Sequence, residues 1–406
     1  MRFVRRITLL RALLERVDKL PPTQRLLVGW LIVLPIACLI PLFLSPTGHQ
    51  QDILGVLVEG EIYAMLALGL NVVVGFAGLL DLGYAAFFAI GAYGFGFIGS
   101  SHFQPTGSFS LGPIISWDPT GIHANFWLFL PIMAAITALF GVLLGAPTLR
   151  LRGDYLAIVT LGFGEIVQKI VSNLGPGATI SAFNWPDITG GTNSFDGIFA
   201  PKFGPVQFDT GQVPWYYLGL AVLGVIITIA YSLQDSRLGR AWVALREDEL
   251  AAACMGINLT RTKLLAFSMG AFFSGFAGVI EGSHAGLIDP SGFTFSFSIS
   301  ILVMVVLGGL GSVPGVVLGA VIIAAIKLYL LDRMNEWAHN LHLIPDSFSL
   351  TQAQYLIFGV ILVLMMLFRR EGLLPSGQRR RELHPNDPEM LREENQQLYT
   401  TRMEGN

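Results

Sequence analysis

The chain reads as a succession of long apolar runs separated by polar stretches. Ten runs approach or reach the roughly 20 residues that a membrane-crossing helix needs. They are 26–44, 53–75, 79–99, 124–146, 155–174, 214–233, 264–282, 297–310, 315–331 and 353–368. The runs are continuous, whereas the strands of a transmembrane β-barrel alternate over about ten residues. Several carry Gly and Pro, which membrane helices tolerate. The eighth and ninth are short and meet at the break Gly308-Gly-Leu-Gly-Ser-Val-Pro-Gly315. The pattern predicts an all-α polytopic membrane protein with about ten transmembrane helices. The first run begins late, and Leu44-Ser-Pro-Thr offers no small-x-small cleavage site. It is expected to be a retained helix, not a signal peptide.

The polar segments divide the chain further. Within residues 1–25, Phe3, Ile7, Leu10, Leu14 and Val17 recur at spacings of 4, 3, 4 and 3. That reads as an amphipathic helix on the inner membrane face. Residues 26–375 form the transmembrane domain, and 376–406 read as a polar, disordered tail. The segment 176–213 is the longest outer loop, with Trp185, Trp215 and Tyr216 near its ends, where aromatic residues suit the membrane–water interface.

Lys and Arg fix the orientation, because cytoplasmic loops hold them in excess. Residues 1–25 carry seven, segment 147–154 two, segment 234–263 five, and the tail from 369 seven, which accounts for 21 of the chain's 25. The alternate loops hold only Lys202 and Arg333, while Lys169 and Lys327 lie within spans. Both termini are therefore expected to be cytoplasmic, in agreement with an even number of spans.

Composition narrows the function. Some 53% of residues are hydrophobic and 13% charged, against about 25% charged in soluble domains. A soluble enzyme is excluded. The net charge of -3 argues against a nucleic-acid partner. Two cysteines, Cys38 and Cys254, do not make a disulfide scaffold.

No catalytic motif survives its context. A Walker A site needs Gly-Lys-Ser/Thr, and none of the five lysines follows a glycine. No His-Glu-x-x-His occurs, and His339/His342 read as solvated surface. Gly94-Phe-Gly-Phe-Ile-Gly99 sits within an apolar span with no strand before it, so it is not a dinucleotide fingerprint. Gly141/Gly145 and Gly315/Gly319 read as faces for close helix packing.

Charges within spans carry more. A charge at mid-bilayer costs about 3 kcal/mol on insertion scales, so it faces protein or a water-filled path. Glu165 lies near the centre of the fifth span with Lys169 four residues on, the favoured order for a helical ion pair. These two and Asp81 are the candidates for the wall of a translocation path. Glu59, Glu61, Glu281 and Asp289 lie nearer the interfaces and are weaker candidates. A faint repeat accompanies them: Gly75-Phe-Ala-Gly78 precedes Asp81 as Gly275-Phe-Ala-Gly278 precedes Glu281. Two halves of opposite topology, an inverted repeat, would place them so.

Segment 234–263 is the longest internal inner loop. Residues 239–255 are expected to form a short helix with Trp242, Leu245 and Ala252 on one side, ended by Gly256. A short, charged, partly apolar helix in the cytoplasm is a docking element. Its Ala251-Ala252-x-x-x-Gly256 spacing resembles the coupling segment of ABC importer permeases, although Glu249 lies one residue earlier than the usual Glu.

The wider resemblance is specific. Residues Gly69–Tyr84, Phe87–Tyr93, Leu149–Ile166, Leu238–Glu249, Val306–Ser312 and Met366–Leu374 together make the chain similar to permease subunits of branched-chain amino acid ABC importers, of the LivM type. The resemblance covers roughly residues 50–375. It implies a second permease subunit, two ATP-binding subunits and a periplasmic binding protein as partners, in a bacterial inner membrane. ATP is then bound by the partners, and this chain needs no cofactor. The residues facing the ATPase would be Gly239, Arg240, Trp242, Arg246, Glu247, Glu249, Ala251, Ala252 and Gly256, with Trp242 and Arg246 as anchors. Related permeases carry urea, short amides or other amino acids, and nothing in the spans selects Leu, Ile or Val, so the same importer class for those substrates is the alternative. The rival from another class is an ion-coupled secondary transporter using Glu165, Asp81 and Glu281. The inner segment and the resemblance weigh against it.

Overall fold

In the computed structural model the described residues are 37–41, 50–102, 109–110, 114–118, 120–148, 154–175, 189–203, 206–208, 211–331, 333–335, 353–369 and 371–374. The expected amphipathic segment 1–25, most of the first span, His339/His342 and the tail 376–406 lie outside them.

The described elements are helices joined by short strands. The helices are α1 (Gln50–Leu70), α2 (Ala85–Ile98), α3 (Phe126–Thr148), α4 (Asp154–Asn173), α5 (Gln212–Asp235), α6 (Arg237–Glu247), α7 (Glu249–Cys254), α8 (Leu259–Ala285), α9 (Phe295–Gly308), α10 (Val313–Ala325) and α11 (Gln354–Phe368). Two π turns extend them: Asn71–Phe76 follows α1, and Ile326–Leu330 follows α10. Among the described residues, six helices are long and apolar enough to cross a membrane, and three more, α2, α9 and α11, are apolar but shorter.

Helices α1 and α8 form the centre. Their apolar residues are buried on nearly every side, as an element packed all round by other helices requires. α8 packs on α3, α2 and α1, and α1 also meets α10 and α5. Close approach depends on glycine. A Cβ on Gly278 of α8 would lie 2.5 Å from Phe88 O and 2.7 Å from Ala92 N of α2. Gly141 of α3 sits on Ala271, and Gly319 of α10 on Gly308, so the small-residue pairs expected from the sequence do pack helices. Gly278→Ala is expected to cost about 1–3 kcal/mol by overpacking against backbone, read as a lower unfolding temperature in detergent. An unchanged transition would mean that α2 and α8 are not in this contact.

The connections sort to two ends. At one end stand a three-stranded antiparallel sheet, β1 (Phe109–Ser110), β2 (Ile115–Asp118) and β3 (Gly121–Ala124), and the pair β4 (Phe195–Asp196) with β7 (Leu287–Ile288). A further pair joins β5 (Lys202–Phe203) to β6 (Val206–Gln207). At the other end lie residues 77–84, the segment with α6 and α7, and the α9–α10 break. Leu373 and Leu374, beyond α11, donate to the Leu307 and Gly308 carbonyls at that break.

One expected boundary moves, and the faint repeat meets two different settings. The span 79–99 becomes helical only from Ala85, because Gly78 adopts a left-handed φ of 68° and residues 77–84 form a loop. The tetrapeptides of the faint repeat sit in different surroundings: Gly75-Phe-Ala-Gly78 straddles the end of the first π turn, whereas Gly275-Phe-Ala-Gly278 lies inside α8.

Candidate functional site

The segment 234–258 folds as two helices, not the single one expected. Ser236 caps α6, accepting from the Leu238 and Gly239 N–H groups, each at 3.1 Å. The helix stops at Asp248, which has an extended backbone and itself caps α7, accepting from Leu250 N at 2.7 Å and Ala251 N at 3.0 Å. An N-cap must leave the helical conformation, so a capping Asp inside the stretch divides it. Gly256 then turns the chain with φ 85°, as the sequence predicted.

The anchor residues point inward. Trp242 is fully buried, and its indole N–H donates to the Thr262 carbonyl at the start of α8, 2.9 Å away. Arg246 donates to the Gly75 carbonyl at 2.7 Å. Lys263 pairs with Glu249 at 2.6 Å. Gly239 fits α6 tightly against the end of α5, where a Cβ would meet Leu233 O and Gln234 O. Ala252 is buried and Ala251 exposed. These contacts seat α6 and α7 on the membrane domain. What the segment presents outward is Leu250, 70% exposed, and Met255, 83% exposed, with Leu238, Arg240 and Glu247 beside them. Sequence periodicity found the segment's apolar face. It could not tell which apolar residues that face would keep for its own domain.

Asp81 lies buried in the 77–84 loop. Its Oδ1 accepts from Gly83 N at 3.0 Å, and its Oδ2 has no hydrogen-bond partner among the described residues. Leu82 N donates to Thr160 Oγ1 of α4 at 3.1 Å, so this loop is tied to α4. A cavity of about 10 Å³ lined by Asp81, Thr160 and Phe267, among others, has room for one water at the lower limit.

Glu165 and Lys169 do not form the expected ion pair. Glu165 is half-buried and Lys169 exposed, on a helix whose Tyr155, Ile158, Ile166 and Ile170 are all at least half exposed. α4 thus lies at the edge of the chain's own core.

A polar cluster lies among spans that sequence reasoning gave less weight. Lys327, in the second π turn, donates to the Tyr63 hydroxyl at 2.5 Å and lies 5.0 Å from the ring centre. Glu281 of α8 interacts electrostatically with Glu59 of α1 and with Lys327. Glu59 also acts on Tyr63 and His284, and His284 hydrogen-bonds Gln212 at 2.7 Å. The signal was in the sequence as a lysine within a span. Its partners come from two other helices, α1 and α8, so only the fold assembles them. Glu61 is separate: its Oε2 is buried against Gly219 of α5. Among the described residues no group of His, Cys, Asp and Glu could hold a metal ion.

Comparison with known proteins completes the picture. The family described as "Branched-chain amino acid transport system / permease component" matches residues 52–366. The high-affinity branched-chain amino acid transport system permease protein LivM of Salmonella typhimurium is 37% identical over 380 residues, covering 89% of this chain and 78% of the relative. The permease protein LivH of the same organism is 27% identical, covering 80% of this chain and 94% of the relative. A probable LivM of Methanocaldococcus jannaschii is 26% identical, covering 78% and 91%. No solved structure matches the chain. An apolar helical bundle, a packed segment of short charged helices at one end and a family match across nearly all of the described bundle agree: the chain belongs to the branched-chain amino acid transport permease family.

Proposed function

We infer that this chain is the membrane-spanning permease subunit of an ABC importer for branched-chain amino acids. The observation that carries the reading is 37% identity, over 89% of the chain, to a protein named for that transport. In this reading a second permease subunit pairs with the chain, and two separate ATP-binding subunits supply the energy. A periplasmic binding protein delivers the substrate. The chain spans the bacterial inner membrane ten times, with both termini in the cytoplasm. The Lys and Arg distribution supports that orientation, since the end carrying α6 and α7 is the Arg-rich one. An inverted repeat is a proposal resting on the two tetrapeptides alone.

The exposed side chains of α7 and its C-terminal turn, Leu250 and Met255, meet the ATP-binding subunit. Trp242, Glu249 and Ala252 hold that surface in place, and Arg246 ties it to the end of α1. Glu165, Lys169 and Asp81 belong to the path. The edge position of α4 supports a path formed together with the second permease subunit. Glu165→Gln is expected to slow uptake several-fold in an assembled complex. Exchanging Glu165 and Lys169 is not expected to restore it, because the two do not pair. Normal uptake in Glu165→Gln would remove α4 from the path.

The test of the whole reading is reconstitution in proteoliposomes. Uptake should require the ATP-binding subunits and the binding protein, and the binding protein that co-purifies should be titrated with Leu, Ile and Val, then with other amino acids, amides and urea. Uptake by the chain alone, driven by an ion gradient, would overturn the reading. Saturation by amides or urea and not by amino acids would change the substrate.

A further inference from the structure

The end of α1 and the break between α9 and α10 are more than 200 residues apart in sequence, yet one line of hydrogen bonds joins them to α6. α1 ends in the π turn Asn71–Phe76. Such turns are rare and recur at functional sites. The last carbonyls of a helix lack donors within it, and the Gly75 carbonyl takes its donor from Arg246 of α6, 2.7 Å away. One helical turn earlier, fully buried Asn71 turns its Oδ1 to the Gly311 N–H in the α9–α10 break, at 2.8 Å. The glycines leave the space for this. A Cβ on Gly75 would fall on Asn71 Oδ1 and within 2.7 Å of Gly311 N. Gly78, at φ 68°, lies directly under the Arg246 side chain. The break itself is built from glycines in conformations that L side chains rarely adopt, Gly309 at φ 117° and Gly311 at φ 79°. Coupling between distant sites needs an element with more than one arrangement, biased from both ends. The π turn and the glycine break are the two places on this line where the backbone departs from regular helix.

We propose that Arg246, the Asn71–Phe76 turn and the Asn71 side chain form a relay that transmits movement of the α6–α7 segment to the Gly308–Gly311 break. Arg246 and Asn71 are positioning residues here. Neither needs to touch substrate or nucleotide. The proposal rests on the reading of 234–263 as the ATPase-facing segment, and its test separates the two.

The complete complex is reconstituted with its binding protein, and the number of substrate molecules moved per ATP hydrolysed is measured alongside co-purification of the ATP-binding subunits. Arg246→Ala and Asn71→Ala are each expected to lower that ratio about fivefold or more while the ATP-binding subunits stay bound. The double variant should be no worse than the more affected single one, since one broken link silences a series. Asn71→Asp, which keeps an acceptor oxygen in the same place, should recover most of the loss. A normal ratio in either alanine variant overturns the relay, as do losses that multiply in the double variant. So does an Asn71→Asp protein no better than Asn71→Ala. Should the Asn71 variants not fold, Arg246→Ala carries the test by itself, because Arg246 lies outside the helical core. Failure of the unaltered chain to hold the ATP-binding subunits would instead refute the reading of 234–263.

Discussion

Leu250→Asp combined with Met255→Asp is expected to release the ATP-binding subunits from the complex. The two side chains are the most exposed apolar groups of the α6–α7 segment, at 70% and 83%. Its Trp242, Leu245 and Ala252 are instead committed to the chain's own core. Central apolar anchors of an interface contribute about 2–4 kcal/mol each when truncated. A carboxylate in their place adds an unpaired charge that the interface must desolvate. Association should fall by roughly 1,000-fold or more, and uptake with it, while the variant folds as before because neither side chain packs inside. Co-purification of the ATP-binding subunits reads the effect directly. Undiminished association would place the docking surface elsewhere, for example around residues 148–154. Trp242→Ala tests the complementary point. Removing a fully buried indole typically costs about 3–5 kcal/mol, so that variant should loosen α6 itself, detectable as faster proteolysis within 234–258. Intact protection of α6 there would mean that Trp242 does not seat it.

Lys327→Met is expected to give the second-largest loss, in stability as well as in uptake. The Lys327 ammonium hydrogen-bonds the Tyr63 hydroxyl, and Glu281 interacts electrostatically with both Lys327 and Glu59. Removing the cation leaves two like charges together among apolar helices. Breaking a fully buried pair costs about 3–5 kcal/mol and an exposed one below about 1 kcal/mol. These groups are half-buried, so about 2 kcal/mol is the expected range. The unfolding temperature in detergent should drop, and adding Glu59→Gln to Lys327→Met should recover much of it by removing the repulsion. A single variant as stable as the parent, or a double variant less stable than the single, would show that the three groups do not act on one another.

The sequence by itself determined much of this protein. Continuous apolar runs dictate helices, since no other element but a closed barrel satisfies its backbone in lipid. The runs at 53–75, 124–146, 155–174 and 214–233 all lie within helices of the structure, allowing for ends that drift by a few residues. The left-handed turn at Gly256 and the tight packing at Gly141 and Gly319 were also legible, because glycine's missing Cβ is a local property. The site was legible only in outline. Periodicity marked Trp242 and Arg246 as one face of a helix, but whether that face meets another protein or its own domain depends on Thr262 and Gly75, which lie 20 and 171 residues away. The same limit hid the Lys327 cluster, whose members come from α1, α8 and the turn after α10. The same holds for Glu165 and Lys169, where a spacing of four permits an ion pair that the fold does not make. Spacing along a helix is fixed by 3.6 residues per turn. Which distant backbone carbonyl or carboxylate stands opposite a given side chain is fixed only when the helices pack, and the tertiary structure alone decides it.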